Sequence, residues 1–336
     1  MHVNLCSCGN AILTKMTLYE RIFTHSQNID FERTALDVFD FQFENCPMYR
    51  QYVTQLNWPK PKFIEEIPFL PISFFKSHEI ICNDVSPEIV FKSSGTHGER
   101  SKHLVAKVSS YIASFNASYK ELVGNPEDQI ILALLPNYME QGDSSLVYMV
   151  DHLIQQTQSD LSGFHLESFD DLVQSYHKGV SAGKQVVIFG VSYALLDLAE
   201  RRPDLSKAII IETGGMKGTR AELTKQELHE QLMKGFRCEY ISSEYGMTEL
   251  LSQAYSKKDG IFVTSRTMDV LIREVNDPFR YADDGNTGGI NIVDLANINS
   301  CSFIATNDLG RKVEGGFELM GRYDGADIRG CNLLVP

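Results

Sequence analysis

The sequence predicts an α/β protein, a large helix-covered sheet followed by a smaller β-rich part, and three observations carry that expectation. Between residues 130 and 234, continuous apolar runs alternate with amphipathic stretches, the pattern of strands buried on both faces. After Ser265 the chain changes to short alternating segments separated by turns. No repeat, low-complexity run or flexible linker interrupts the 336 residues.

From Leu18 to about Leu56, apolar residues recur at helical spacing (Ile22, Phe23, Ile29, Phe31, Ala35, Val38, Phe39, Phe43), so this region is mostly helix. The first 16 residues read as a flexible extension ahead of it. Pro59 and Pro61 break the helical pattern, and Ile67-Pro68-Phe69-Leu70-Pro71-Ile72 is an extended apolar connector. A helix is expected over Ser109 to Leu122, a buried strand over Ile130 to Leu135 and a helix over Ser144 to Gln156. Strands follow at Lys184 to Gly190, Ala208 to Glu212 and Cys238 to Ile241, with helices at Tyr193 to Glu200 and Thr224 to Lys234. Beyond Ser265 come strands Val270 to Val275, Gly289 to Leu295, Cys301 to Thr306 and Gly316 to Arg322. The expected division is a 1–264 core and a 265–336 β-rich subdomain ending in a short arm with Cys331.

Lys and Arg number 31 against 44 Asp and Glu, a net charge of −13, which argues against duplex nucleic acid but leaves a nucleotide open. No apolar run approaches the ~20 residues of a membrane span, and no signal-peptide core is evident, so a cytoplasmic protein is expected. The seven cysteines are scattered and fit reduced thiols. Cys6 and Cys8 lack a second Cys or His pair at zinc spacing, so chance explains them better than a metal.

Chemistry concentrates in turns. Ser93-Ser94-Gly95-Thr96-His97-Gly98 is either a plain loop or an anion nest, because glycine lets backbone N–H groups curl around phosphate oxygens. It is not a kinase-type P-loop, since no Gly-Lys-Ser/Thr follows. Further Gly-rich or acidic turns are expected after strands: Thr213-Gly214-Gly215-Met216-Lys217, Ser242 to Glu249, Thr306 to Arg311, and Gly321-Arg322-Tyr323-Asp324. Ligands of α/β sheets bind at such strand ends.

Taken in order, Ser93-Ser94-Gly95-Thr96-x-Gly98, Tyr245-Gly246-Met247-Thr248-Glu249, Thr306-x-Asp308-Leu309-Gly310-Arg311 and Gly321-Arg322-x-Asp324 resemble the core motifs of the adenylate-forming superfamily. Within it the chain is most similar to LuxE-type acyl-protein synthetases. That closer likeness rests on Ile67 to Lys76, Thr213-Gly214-Gly215-Met216-Lys217 and the ending Arg329-Gly330-Cys331-Asn332-Leu333. The resemblance implies the large N-terminal domain of that fold, mixed sheets covered by helices, without the mobile C-terminal domain that larger members carry beyond the hinge. It implies ATP and Mg²⁺ as cofactors and a fatty or other carboxylic acid as substrate. An acyl-accepting reductase or carrier protein is the implied partner.

The roles implied are these. Ser93, Ser94, Gly95, Thr96 and Gly98 cradle the ATP phosphates. Thr248 reaches the α-phosphate and Glu249 holds Mg²⁺. Gly214 and Gly215 line the adenine slot, where Tyr245 stacks on the base, and Gly246 is a further nucleotide-binding position. Asp308 accepts both ribose hydroxyls, and Arg322 adds a ribose or phosphate contact. Tyr193, Tyr240 to Tyr245 and Met247 are the expected acyl-pocket walls. Arg100, Lys102 and Lys217 are the candidates for the cation that neutralises the departing pyrophosphate, and the lysine of the mobile domain is expected to have no counterpart here. Cys331 matches the family's acyl-accepting cysteine, and Arg329 beside it would favour a thiolate. Read from the residues alone, a strand-end cysteine in a small core fits Cys331 equally well. Two other outcomes stay open: acyl transfer to coenzyme A or a carrier, and a nucleotide-binding accessory protein with little catalysis.

Overall fold

The computed structural model describes residues 17–24, 29–94, 99–135, 142–214 and 223–322. Helices α1 (Leu18–Phe23), α2 (Phe31–Asn45) and α3 (Pro47–Gln55) form an N-terminal layer. Local sequence sets their ends. Thr17 and Glu20 form a capping box on α1, the Asp30 carboxylate caps α2, and Pro47, with no N–H to lose, opens α3. The single helical region expected from periodicity is therefore three helices.

The connector contributes a two-residue strand, β1 (Leu70–Pro71), before the short α4 (Phe74–Ser77). Strands β2 (Ile89–Lys92) and β3 (Lys102–Val105) make a separate antiparallel hairpin. The α/β layer then runs α5 (Val108–Leu122), β4 (Gln129–Leu134), α6 (Ser145–Gln156), β5 (Gly163–Phe164), α7 (Phe169–Ser181), β6 (Gln185–Val191), α8 (Ser192–Glu200), β7 (Ala208–Thr213), α9 (Lys225–Phe236) and β8 (Ser242–Tyr245). β5, β4, β6, β7 and β8 lie side by side and parallel. α7, α8 and α9 pack on one face through Leu172, Leu195, Leu198 and Leu232. α5 and α6 pack on the other through Tyr111, Phe115, Tyr119 and Leu153.

The chain continues through β9 (Ala254–Ser256), β10 (Ile261–Thr264), β11 (Met268–Arg273), β12 (Gly288–Asp294), β13 (Phe303–Val313) and β14 (Gly316–Arg322), which pair antiparallel with one another and, through β9, with β8. Hydrogen bonding runs without a break from β8 through β9 and β10 to β14, across residue 265. β13 is a hub. One edge pairs with β12; the other carries β1 in parallel (Leu70↔Ile304) and then β14 (Asp308↔Arg322).

Two segments differ from the expected turns. Ser242–Tyr245 is itself a strand, and no strand covers Cys238 to Ile241. Thr306 to Arg311 lies within the 11-residue β13. Polar side chains hid both strands, because each finds a buried partner that an apolar pattern cannot reveal. Among the described residues, no helix is long and apolar enough to cross a membrane.

Gln42 on α2 ties the N-terminal layer to the sheet. Fully buried, its Nε2 donates to the carbonyls of Asn297 and Ile298, each at 3.0 Å, and its Oε1 accepts from the Ser302 N–H at 3.0 Å. Gln42→Leu strands those groups without partners, so a loss of about 2–4 kcal/mol is expected. Urea denaturation checks it; a change under about 0.5 kcal/mol would contradict the role.

Candidate functional site

The motifs converge at one end of the sheet. Tyr245 closes β8, Asp308 lies in β13, and Arg322 faces Asp308 across the β13–β14 ladder. The Tyr245 hydroxyl donates to Asp308 Oδ2 at 2.8 Å, while Arg322 Nε sits 3.6 Å from Asp308 Oδ1. Arg322 is largely exposed, so that ion pair adds little energy. Burial raises the Asp308 carboxyl above its ordinary value, against the pull of Tyr245, Arg322 and Arg273. Arg273 is held by the carbonyls of Ile290 (2.8 Å) and Thr306 (2.6 Å), which fixes β13 beside Asp308. Tyr245 packs edge-on against Phe262 and Phe317, with ring centroids 5.9 and 5.6 Å away.

Glu249 is 5% exposed, and burial lifts its carboxyl above the usual range, opposed by a bond to Ser101 and by Arg322. The backbone at Thr248 and Glu249 is pinned from below. His103 Nδ1 lies 2.8 Å from the Thr248 carbonyl, and Asn297 Nδ2 donates to the Glu249 carbonyl at 2.9 Å. His103 is fully buried, and burial pulls its pKa down to about 4.

Ser101 ends the β2–β3 loop. Its N–H donates to Ser93 Oγ at 3.0 Å, and its carbonyl accepts from the Ser93 N–H at 3.0 Å. The mouth of the expected phosphate loop is thereby closed and brought against Glu249. Arg100 braces it: the guanidinium donates to the Ser93 carbonyl and to Asp143, at 3.1 Å for Nη1, and Lys92 reaches Asp143 at 3.5 Å. Arg100 is thus engaged as a brace, which weighs against it as a phosphate cation. Ser94 is described; Gly95, Thr96, Gly98, Gly215, Lys217 and Cys331 lie outside the described residues. Tyr193 and Met247 are half-buried, and Tyr240 is exposed.

Gly214 follows β7 with φ +76°, a left-handed conformation that favours glycine. Ser192 Oγ lies 2.8 Å from the Gly214 carbonyl and 2.6 Å from Glu212 Oε1. Sequence reasoning missed Glu212 and the acid on the adjoining strand, Glu244. Burial opposes ionisation of Glu212, but His229, Lys225 (3.4 Å) and Ser192 hold its carboxyl down to about 2. Glu244 carries the opposite shift: burial first, then the Glu212 charge, push it up to about 7 against Thr213 and Lys225. Acidic residues inside otherwise buried strands were the available signal.

A family model described as acyl-protein synthetase, LuxE, matches residues 19–335. No curated sequence matches the chain. Among solved structures, ATP-bound MatB from Rhodopseudomonas palustris is similar with a TM-score of 0.52 and 16% identity, over 69% of this chain and 47% of MatB. A 2-hydroxyisobutyryl-CoA ligase in complex with 2-HIB-AMP and CoA is similar with a TM-score of 0.65 and 13% identity, over 91% of this chain and 71% of the ligase. The chain spans about half the length of MatB. The fold is that of the adenylate-forming enzymes, as the motifs implied.

Proposed function

The chain belongs to the LuxE family of acyl-protein synthetases, and from that premise we propose that it uses ATP to activate a fatty acid as its acyl-adenylate and then transfers the acyl group to the thiol of Cys331. The observation that carries this reading is the convergence of Tyr245, Asp308, Arg322, Glu249 and the Ser93–Ser101 loop mouth. The order of these groups suits the base, ribose and phosphates of one nucleotide.

Asp308 accepts the ribose hydroxyls, and Tyr245 orients it from beneath. Ser93 and Ser94 open the loop that wraps the phosphates. In the first step a carboxylate oxygen attacks the α-phosphorus as its bond to pyrophosphate breaks. In the second, the thiolate attacks the acyl carbon, the thioester bond forms, and AMP leaves.

Among the described residues, no group of three or more His, Cys, Asp or Glu could hold a metal ion alone. A single buried carboxyl, Glu249, fits Mg²⁺ that keeps most of its shell on phosphate and water. When bound there, the ion would neutralise charge on the departing pyrophosphate.

Coenzyme A as the acceptor is the second reading, favoured by the likeness to a ligase whose structure holds CoA. The adenylation step is tested by carboxylate-dependent ATP–pyrophosphate exchange over acids of graded chain length. Exchange that rises with chain length is expected. ATP binding without exchange for any acid would sink both readings and leave an accessory nucleotide-binding role.

A further inference from the structure

Glu244 stands where two strand ends meet. Thr213 on β7 is its register partner on β8, and Thr213 Oγ1 donates to Glu244 Oε2. Gly214 follows Thr213 directly, and Tyr245 follows Glu244. The other oxygen, Oε1, lies against Gly246, where an added Cβ would come within 2.3 Å of it. One carboxyl therefore touches the strand end that leads into Gly214 and the backbone that leaves Tyr245.

The groups that face this carboxyl offer it little charge compensation. Tyr255 on β9 is its cross-strand partner, and among the described residues the Tyr255 hydroxyl has no hydrogen-bond partner. Tyr111 on α5 is close enough to feel its charge. On β7, Glu212 brings a like charge, and Lys225 of α9 is ion-paired to Glu212 at 3.4 Å. His229 of α9 sits 3.9 Å from Glu212 as well.

We propose that Glu244 is a positioning residue that must be a neutral acid in the nucleotide-bound state, so that ATP binding takes up a proton at this carboxyl. The proposal rests on the reading that places the base between Gly214 and Tyr245. The sign follows from the charges. A raised acid is neutral below about 7 and ionised above it. A nucleotide whose base covers the ends of β7 and β8 takes water from this carboxyl, and its phosphates add negative charge to the same site, so binding disfavours the ionised form and raises the acid further. Between the free and the bound values the site must draw one proton from solvent, and affinity falls as pH rises through that window.

Calorimetry of MgATP binding at pH 8, in two buffers of different ionisation enthalpy, counts that proton directly. Wild type is expected to take up roughly half to one proton, and Glu244→Gln, a neutral isostere, close to none. Wild-type affinity should weaken towards a limit of roughly tenfold per pH unit above neutrality, while Glu244→Gln shows a flatter profile. A purely structural role would leave the proton count of the two proteins equal. Binding without uptake by wild type, or equal uptake by both, overturns the proposal. Should Glu244→Gln fail to fold, the wild-type count and pH profile still decide it. Failure to bind ATP at any pH removes the nucleotide reading itself, whereas binding without proton uptake removes the Glu244 role alone.

Discussion

Incubated with ATP and a radioactive fatty acid, the wild-type chain is expected to acquire a stable label, and Cys331→Ser none. An acyl-adenylate is a mixed anhydride that a thiolate attacks readily, whereas a serine hydroxyl at neutral pH is almost entirely protonated and needs a base to react. Chain geometry permits the transfer. Cys331 lies nine residues beyond Arg322, which pairs with Asp308 in the ladder. A chain of nine residues spans at most about 30 Å, which is the upper bound on the distance between the thiol and the Arg322–Asp308 pair. The label should be released by hydroxylamine, and ATP–pyrophosphate exchange should persist in the variant because adenylation precedes transfer. Labelling of Cys331→Ser at the wild-type level would refute this acceptor. Label that appears only on added coenzyme A would establish the second reading instead.

Asp308→Ala is expected to lower ATP–pyrophosphate exchange by about two to three orders of magnitude. Two hydrogen bonds from ribose to a charged acceptor are each worth about 1.5–3 kcal/mol, and water recovers part of the loss in an open site. The substitution also leaves the Tyr245 hydroxyl without the acceptor it holds at 2.8 Å. Tyr245→Phe separates the two effects. It keeps the carboxylate and removes one bond, so about a tenfold loss is expected. A drop below tenfold in Asp308→Ala, with thermal stability unchanged, would rule out the ribose contact.

The parallel half of the sheet was legible because its strands are apolar on both faces; Ile130 to Leu134 and Val186 to Phe189 announce themselves. Periodicity failed where buried polar groups satisfy one another. Ser243 and Glu244 read as a turn, yet they form a strand whose side chains bond to Glu212 and Thr213. Asp308 read as a turn acid, yet it sits in mid-strand, where it accepts from the Tyr245 hydroxyl. Its motif was visible, but its alignment with Arg322 depends on a register that only the folded ladder sets. Contacts distant in sequence left no local trace at all. Nothing near Ser101 shows that it meets Glu249, and nothing near Gln42 points to Asn297.

The double occupancy of one β13 edge has a consequence for how the chain is made. Leu70 finds its strand partner only at Ile304, and Gln42 finds its bonds only at residues 297–302. During synthesis the three N-terminal helices therefore emerge well before the surface they cover. At about 5–20 residues per second, the intervening chain takes roughly ten to fifty seconds to appear. For that interval Phe39 and Tyr49, both buried in the finished core, are without the Phe303 ring they pack against. Such long-range closure is slow to form and open to aggregation. Nascent chains halted before residue 297 should be the ones that chaperones retain.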